Sequence, residues 1–420
     1  MERKLVTVRP ISALLPIPGA DAIETAVIDG WTVVVKKGEF QVNDLCVYFE
    51  IDSFLPDGNP AWQFLVDKQS QEFEGVRGHR LRTIRLRKQL SQGLALPLSA
   101  FPQIKDSVPK SFDVKPGAIH QVYGEYLSDT DFAPLLDVKK WEATLPAQLA
   151  GQAEGLFPSF IVKTDQERCQ NLCRQIFGYD PQVVPVDSSN IPQDEIDRLL
   201  STGEFVKNED GSISKLLPAQ ASRNDWYEVT IKLDGSSMTV FNDGGYYVNE
   251  DGTDHVGVCS RNLELKDNEE NAQNAFVKMF NESGLKDALK KTGLAVAVQG
   301  ELMGPNIQGN RENLKVHQFF VFNIQALAPD VQQFLPPLQR LAVLEKLYDA
   351  GVSRELVMHA PILFSNTTLE ALGIEDIQSL LDFANGPSLN NPVREGLVFK
   401  RHDGLFSFKA ISNHYLLQEK

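Results

Sequence analysis

The stretch that most constrains this 420-residue chain is Tyr227 to Phe241, Y-E-V-T-I-K-L-D-G-S-S-M-T-V-F. Apolar and polar residues alternate on both sides of Lys232-Leu233-Asp234-Gly235. That is the pattern of two half-buried strands, with the four central residues as a tight hairpin turn. A glycine there permits positive φ or the close approach of a ligand. A lysine beside a carboxylate is a nucleophile if its amine can shed a proton, and part of an ordinary solvated turn if it cannot. K-x-D-G arises by chance in about one chain in ten of this length, so its meaning rests on the other residues.

The chain is too long for one typical core, and at 42% hydrophobic and 23% charged residues it can fill two or three. A formal net charge of −15 excludes a uniformly basic nucleic-acid coat, so a polyanion site has to be a local groove. Cys46, Cys169, Cys173 and Cys259 are too sparse for a disulfide framework and fit a reducing compartment. The Cys169-x₃-Cys173 spacing lacks a second pair or a nearby histidine, and reads as two core thiols on one helical face rather than a zinc site. No apolar leader and no run of about 18 apolar residues is present. The expectation is a soluble protein with no membrane partner, cytoplasmic, or nuclear in a eukaryote.

Residues 4–100 read as all-β. Leu5 to Val8 is a short strand, Glu24 to Ile28 and Trp31 to Val35 flank an Asp29-Gly30 turn, and Leu45 to Ile51 follows. A fifth strand is expected over Arg80 to Leu86. Short strands with glycine-rich turns suit a small barrel of the OB type. The stretch Arg77 to Lys88, R-G-H-R-L-R-T-I-R-L-R-K, is half cationic. Arg80 and Arg82 share one face, as do Arg85 and Arg87, with a phase change between the pairs. These four arginines are the candidate phosphate-contacting strip; the alternative is a charged edge strand that blocks aggregation.

Scattered prolines mark 101–160 as a meandering connection. Thr164 or Asp165 is positioned to cap a helix carrying Cys169, Leu172, Cys173 and Ile176. A polar stretch over 181–225 reads as an insertion, with a helix near Asp194 to Leu200 and a hairpin over Glu204 to Leu217. Further on, the pattern predicts a helix over Asn271 to Leu289, a buried strand over Leu294 to Leu302 and an aromatic strand over Phe319 to Ile324. Helices at Leu338–Ala350 and Leu369–Ala384, then strands over Glu395 to Lys400 and Leu405 to Lys409, complete the chain.

Polar groups stand at the ends of several of these apolar strands: Lys232 and Asp234, Arg261, Glu301, Glu395 and Lys400, and Lys409. Singly each reads as a surface residue. Together they supply a nucleophilic lysine, cations for phosphates and carboxylates for a divalent metal, with an aromatic ring available to stack on a base. The acids also raise the lysine pKa, the wrong direction for a nucleophile, unless a bound cation reverses the local field. Activity is therefore expected to require Mg²⁺ or Mn²⁺.

In this order the motifs resemble those of the covalent nucleotidyltransferase superfamily of polynucleotide ligases and capping enzymes. K-L-D-G looks like its first motif, and Gly300 to Gly309 (G-E-L-M-G-P-N-I-Q-G) like the third in its RNA-ligase form. Phe319 to Ile324 resembles the aromatic strand that follows, Glu395 to Lys400 the fourth motif, and Phe408-Lys409 the fifth. Lys163 to Arg168, behind an OB-like module, is similar to the Deinococcus-type ATP-dependent RNA ligases. The resemblance implies an α+β protein: an N-terminal OB-like β-barrel (1–125), a linker (126–158), and a nucleotidyltransferase domain of antiparallel sheets flanked by helices (159–420), leaving no room for an OB domain after the last motif.

It implies roles as well. Lys232 becomes adenylylated from ATP. Asp234, Glu301 and Glu395 surround a metal through its waters, Phe322 stacks on adenine, and Arg261, Lys400 and Lys409 contact sugar or phosphates. Glu301 also belongs to the nucleotide site, and Arg168 reaches the leaving pyrophosphate. Two positions depart from the pattern: Ser407 stands where a first lysine is common, and Asn323 where an acid is common. The implied function is sealing of 3′-OH and 5′-phosphate ends, in nicked duplexes with RNA on the 3′-OH side, by a monomer. The alternatives are a GTP-using capping guanylyltransferase and an inactive transferase-like binding protein. Deleting residues 1–100 is expected to spare lysine-nucleotide formation and impair sealing.

Overall fold

The structure, a computed structural model, describes residues 4–107, 130–141, 151–178, 182–185, 191–201, 205–207, 212–217, 222–249, 251–329 and 333–418. The expected boundary at 125/126 lies outside them, as do Pro109, Pro116 and Pro146.

The N-terminal unit is all-β. Val6–Pro10 and Leu94–Pro97 both pair antiparallel with Leu45–Phe49. Ile23–Ile28 and Trp31–Lys36 form the expected hairpin, extended by Ala13–Pro16. Along Trp31–Lys36 the side chains of Trp31, Val33 and Val35 are buried while Thr32 and Val34 are not, as the two-residue period requires. Asp29 takes the positive φ (49°) of its turn. Gly30 is needed for a different reason: a Cβ there would lie 2.7 Å from Gln170 Cα, where this turn meets the C-terminal half of the chain. Val6, Val8, Val47, Phe49, Trp62 and Phe101 fill the core.

The single fifth strand expected over Arg80 to Leu86 is two strands. Val76–Arg80 pairs with Ser53–Pro56, and Thr83–Leu86 forms a separate hairpin with Gln89–Gln92. Leu81 causes the break. It is buried, and its amide donates to Ser53 O and its carbonyl accepts from Asp52 N, so the chain turns where the arginine phase changes.

The described residues of the stretch expected as a linker, 130–141 and 151–158, are divided between the two halves. The Asp131 carboxylate accepts from the amides of Leu5 and Val6, Phe132 and Val138 join the N-terminal core, and Lys139–Lys140 pairs with Ser53–Pro56. Ala153–Leu156 instead joins the large C-terminal sheet through Leu263–Leu265.

The C-terminal unit has two sheets face to face. One runs through Ala153–Leu156, Leu263–Leu265, Val256–Cys259, Ser236–Asn242, Val296–Met303, Gln318–Ala326 and Gln333–Phe334, with Val357–His359 parallel to Gln318–Ala326. The other has the order Ile362–Thr367, Tyr227–Lys232, Gly396–Arg401, Ser407–Ile411. Met303 and Phe320 from the first pack against Val229, Ile231, Leu397, Phe399 and Phe408 of the second. Helices Ala275–Glu282, Leu285–Thr292 and Pro337–Asp349 cover the outer face of the large sheet, and Ile377–Phe383 packs on the small one.

The Lys232 stretch is therefore not a hairpin. Tyr227–Lys232 and Ser236–Asn242 belong to different sheets, and Lys232-Leu233-Asp234-Gly235 is the elbow between them. Most residues of both strands are buried on either face, because each strand lies inside its sheet.

Three expected helices are shorter. The one over Leu369–Ala384 is confined to Ile377–Phe383, where Asp376 caps it. The one over 271–289 breaks at Gly284 (φ 82°) into two. The one over 165–176 survives only as Cys173–Phe177, because Glu167 O and Cys169 N bond to the backbone of Lys409 and hold the preceding residues extended. Asp165 is not its cap. Within the insertion, helix Gln193–Ser201 accompanies a small sheet in which Ile213–Leu217 pairs with Gln182–Pro185 and Phe205–Lys207. No helix among the described residues is long and apolar enough to cross a membrane.

Candidate active site

The elbow opens onto a cleft of about 1110 Å³. Lys232 ends its strand opposite Gly396, and this register brings the preceding Glu395 to it: Lys232 Nζ lies 2.7 Å from Glu395 Oε1. The lysine side chain keeps 26% exposure. Glu301 comes from the other sheet, opposite Ser237, and its Oε1 accepts from Gly235 N at 3.1 Å. A Cβ on residue 235 would sit 2.5 Å from Leu302 O. The glycine of K-L-D-G thus serves close approach between the sheets, not positive φ. Gly235→Ala is expected to push the elbow off Glu301 and lose most nucleotide labelling; labelling at the wild-type rate would remove this role.

Asp234 is braced by two residues absent from the sequence-derived set. Its Oδ2 accepts from the Tyr415 hydroxyl at 3.0 Å and lies 3.6 Å from Arg311 Nε, whose guanidinium sits over the Tyr415 ring. Nothing in local sequence links Arg311 and Tyr415 to Asp234; only the fold does.

Charge is unevenly distributed around the lysine. Burial, with Glu395 adding, pushes the Glu301 carboxyl up to about 8 against the pull of Lys232. Burial and Glu395 also raise Asp234. The Lys232 amine is lowered by burial but raised more by Glu395, Glu301 and Asp234, and stands above its ordinary value. Three carboxyls facing one ammonium, two of them reluctant to ionise, form an oxygen-rich site with surplus negative charge, which suits a hard divalent cation. As they stand, Glu395 is held by Lys232 and Asp234 by Tyr415 and Arg311. Among the described residues no three His, Cys, Asp or Glu side chains converge as a closed metal cage. The site fits a cation bound largely through water.

The opposite wall is cationic. Gln299 pairs with Asn323 and Gly300 with Val321, so Phe322 is the extra residue of a β-bulge, aimed at the cleft and with its carbonyl outside the ladder. Lys400 Nζ donates to that carbonyl and, at 2.5 Å, to Asn323 Oδ1. The asparagine that replaces the usual acid is thus the lysine's acceptor. Burial, and after it the Arg340 charge, pushes the Lys400 amine well below the lysine range. Lys409 Nζ bonds Asp165 Oδ1 at 2.5 Å, and Lys140 holds Oδ2 at 3.1 Å. Burial brings Lys409 down to about 8, while the two lysines hold Asp165 below the usual carboxylate range despite its burial. Arg261 lines the cleft from the end of Val256–Cys259.

Arg168 also lines the cleft, and its guanidinium reaches the N-terminal unit: 3.7 Å to Glu50 Oε1, 3.7 Å to Asp52 Oδ2, and over the Trp31 ring. The expected strip of four arginines does not form one surface. Arg80 belongs to the cleft wall, 2.7 Å from Asp52 and stacked on Trp141, while Arg82, Arg85 and Arg87 lie outside the cleft. The break at Leu81 separates them. Cys169 and Cys173 are buried free thiols; burial pushes Cys169 well above the ordinary thiol range and Cys173 up to about 11.

An elbow lysine between carboxylates, faced by lysines and an aromatic ring across the meeting edge of two antiparallel sheets, defines a lysine-dependent nucleotidyltransferase. A family model described as RNA ligase matches residues 225–411, and one described as an OB-fold domain matches residues 5–98. Among curated proteins none matches the chain. Solved structures do. A Naegleria gruberi RNA ligase with PPi is 38% identical, with 99% of this chain and 98% of that chain covered and a TM-score of 0.74. Variants of that ligase with ATP and Mn, and with AMP and Mn, match at the same identity and coverage with a TM-score of 0.73. This chain belongs to the RNA ligase family.

Proposed function

We propose that this chain is an ATP-dependent RNA ligase of the Deinococcus type that seals nicks in duplexes whose 3′-OH side is RNA, through a Lys232-AMP intermediate. The observation that carries the reading is the seat of Lys232, 2.7 Å from Glu395 at the mouth of a cleft whose far wall presents Phe322, Lys400 and Lys409. Adenine stacks on Phe322, whose bulge aims it inward. Lys409 and Arg261 meet the phosphates and sugar, and Arg168 lies toward the leaving group. Lys232 Nζ, once its proton has left toward Glu395 Oε1, attacks the α-phosphate of ATP. The N–P bond forms, the bond from the α-phosphorus to the β-phosphate oxygen breaks, and pyrophosphate leaves with that electron pair. The AMP group then passes to a 5′-phosphate end, and attack by the neighbouring 3′-OH releases AMP.

Asp234, Glu301 and Glu395 would hold Mg²⁺ or Mn²⁺, which supplies a positive field favouring the neutral amine. The ATP- and AMP-bound structures of the Naegleria ligase with Mn support this choice of nucleotide and metal class.

The test is labelling with α-labelled ATP, with and without excess chelator, followed by sealing of nicked duplexes in which RNA and DNA are exchanged separately at each end. Expected are an ATP-specific adduct lost on chelation and a requirement for RNA at the 3′-OH end. An adduct formed from GTP instead points to a capping guanylyltransferase, and robust labelling in chelator removes the metal from the scheme.

A further inference from the structure

The hairpin Thr83–Leu86/Gln89–Gln92 takes no part in the cleft, yet it concentrates positive charge in a chain of net charge −15. We propose that this hairpin is the grip on the duplex flanking the nick, resting on the ligase reading above for the identity of its nucleic-acid partner.

Its base is fixed and its tip is not covered. Ser91 and Gln92 are buried, Val34 N donates to Ser91 Oγ at 3.0 Å, and the Tyr48 hydroxyl donates to Gln92 O at 3.0 Å. Gln92 Nε2 also donates to Asn413 Oδ1 at 3.3 Å, at the start of helix Asn413–Leu416. Two residues further on, Tyr415 bonds Asp234 beside Lys232. The hairpin therefore springs from the rim of the catalytic cleft.

From that rim it presents Arg85, Arg87 and Lys88, all exposed, with Arg82 at its foot. No ion pair joins any of the four to another described residue. Ile84 (48% exposed) and Leu86 (36%) lie together on one face by the two-residue period, and Arg85 lies on the other. Exposed cations flanking an apolar ridge on a two-stranded ribbon match a duplex groove: phosphates on the outside, sugar and base edges within.

The turn itself gives a second, independent reason. Leu86 pairs with Gln89, so the loop is two residues, and both have positive φ: Arg87 at 49° and Lys88 at 70°. Such turns favour Asn-Gly, because side chains with a Cβ are strained there by about 1–2 kcal/mol each. Two long cations occupy positions where the fold alone would select against them. Strain retained at an exposed tip is a mark of function.

The turn supplies its own test, because the substitution that removes the cations also relieves the strain. In the full chain, Arg87→Asn with Lys88→Gly is expected to keep or raise Tm while weakening nicked-duplex affinity about tenfold, and to lower the slope of log affinity against log salt by about 2, one per lost phosphate contact. Lys290→Gln with Lys291→Gln, the same loss of charge on an exposed helix end, is the control and is expected to leave that slope unchanged. Unchanged affinity and slope in the turn variant, or equal losses in the control, overturns the proposal; the first result is also the one expected if the hairpin docks a protein. Lys232 labelling on the same samples keeps the two readings apart. A chain that never labels defeats the ligase reading, while the hairpin is still judged by duplex affinity.

Discussion

Lys232→Ala is expected to abolish covalent nucleotide transfer, with labelling by α-labelled ATP falling below detection. No second lysine can substitute: Lys400 is committed to Phe322 O and Asn323, and Lys409 to Asp165. Lys232→Arg separates the charge of the residue from its chemistry. A guanidinium keeps the ion pair with Glu395 but cannot be deprotonated, so it should form no adduct while holding Tm near the wild-type value. Alanine, in contrast, leaves Glu395, Glu301 and Asp234 without their ammonium. Because Lys232 is a quarter exposed, the cost should be about 1–2 kcal/mol, below that of breaking a fully buried pair. The direction with pH follows from the raised carboxyls. Protonated, they repel little; as pH climbs through their folded-state range their mutual repulsion grows. The Tm deficit of the alanine variant should therefore widen toward alkaline pH and shrink toward acid. A labelled alanine variant would place the nucleophile elsewhere.

The candidate nucleotide and metal residues were legible because the strands that carry them are apolar enough to be found by period, and a polar residue at the end of such a strand stands out. Lys232, Asp234, Arg261, Glu301, Phe322, Glu395, Lys400, Lys409 and Arg168 all line one cleft. What sequence could not show is which strands are partners. Alternation around K-L-D-G suggests a hairpin, yet the two strands belong to separate sheets, since a buried sandwich strand and a half-buried hairpin strand differ only in what lies beyond. The residues that brace the site are hidden for the same reason. Arg311 and Tyr415 reach Asp234 across 77 and 181 positions of sequence respectively, and Lys140 reaches Asp165 from the stretch read as linker. Proline content marks that stretch as a meandering connection, yet its described residues are pinned, as Asp131 shows by accepting two amides of the first strand region.

The separable binding module implied by the sequence resemblance would leave lysine labelling intact when residues 1–100 are deleted; the structure reverses that expectation, and the deletion should abolish labelling along with sealing. The N-terminal unit shares a core with the catalytic one: Ile28, Trp31 and Tyr48 pack in one cluster with Ile411, Tyr415 and Leu416. Trp31 Nε1 donates to Asn171 Oδ1 at 2.7 Å, and Gly30 leaves no room for a side chain between its turn and Gln170. Exposing the three that remain, Ile411, Tyr415 and Leu416, at roughly 1.5–3 kcal/mol each would consume a stability comparable to that of a marginal domain. The damage would also reach the site. Tyr415 would lose the packing that holds its hydroxyl on Asp234, and Arg168 would lose Glu50, Asp52 and the Trp31 ring, the groups that hold its guanidinium in place at the cleft. A milder cut makes the same point in a folded chain. Gly30→Val wedges the two halves apart without removing any catalytic group, and should lower the rate of Lys232 labelling at least tenfold, by order of magnitude from the displacement of positioned groups. If the deleted chain or the valine variant labels at the wild-type rate, the two halves work independently, and the shared core serves stability alone.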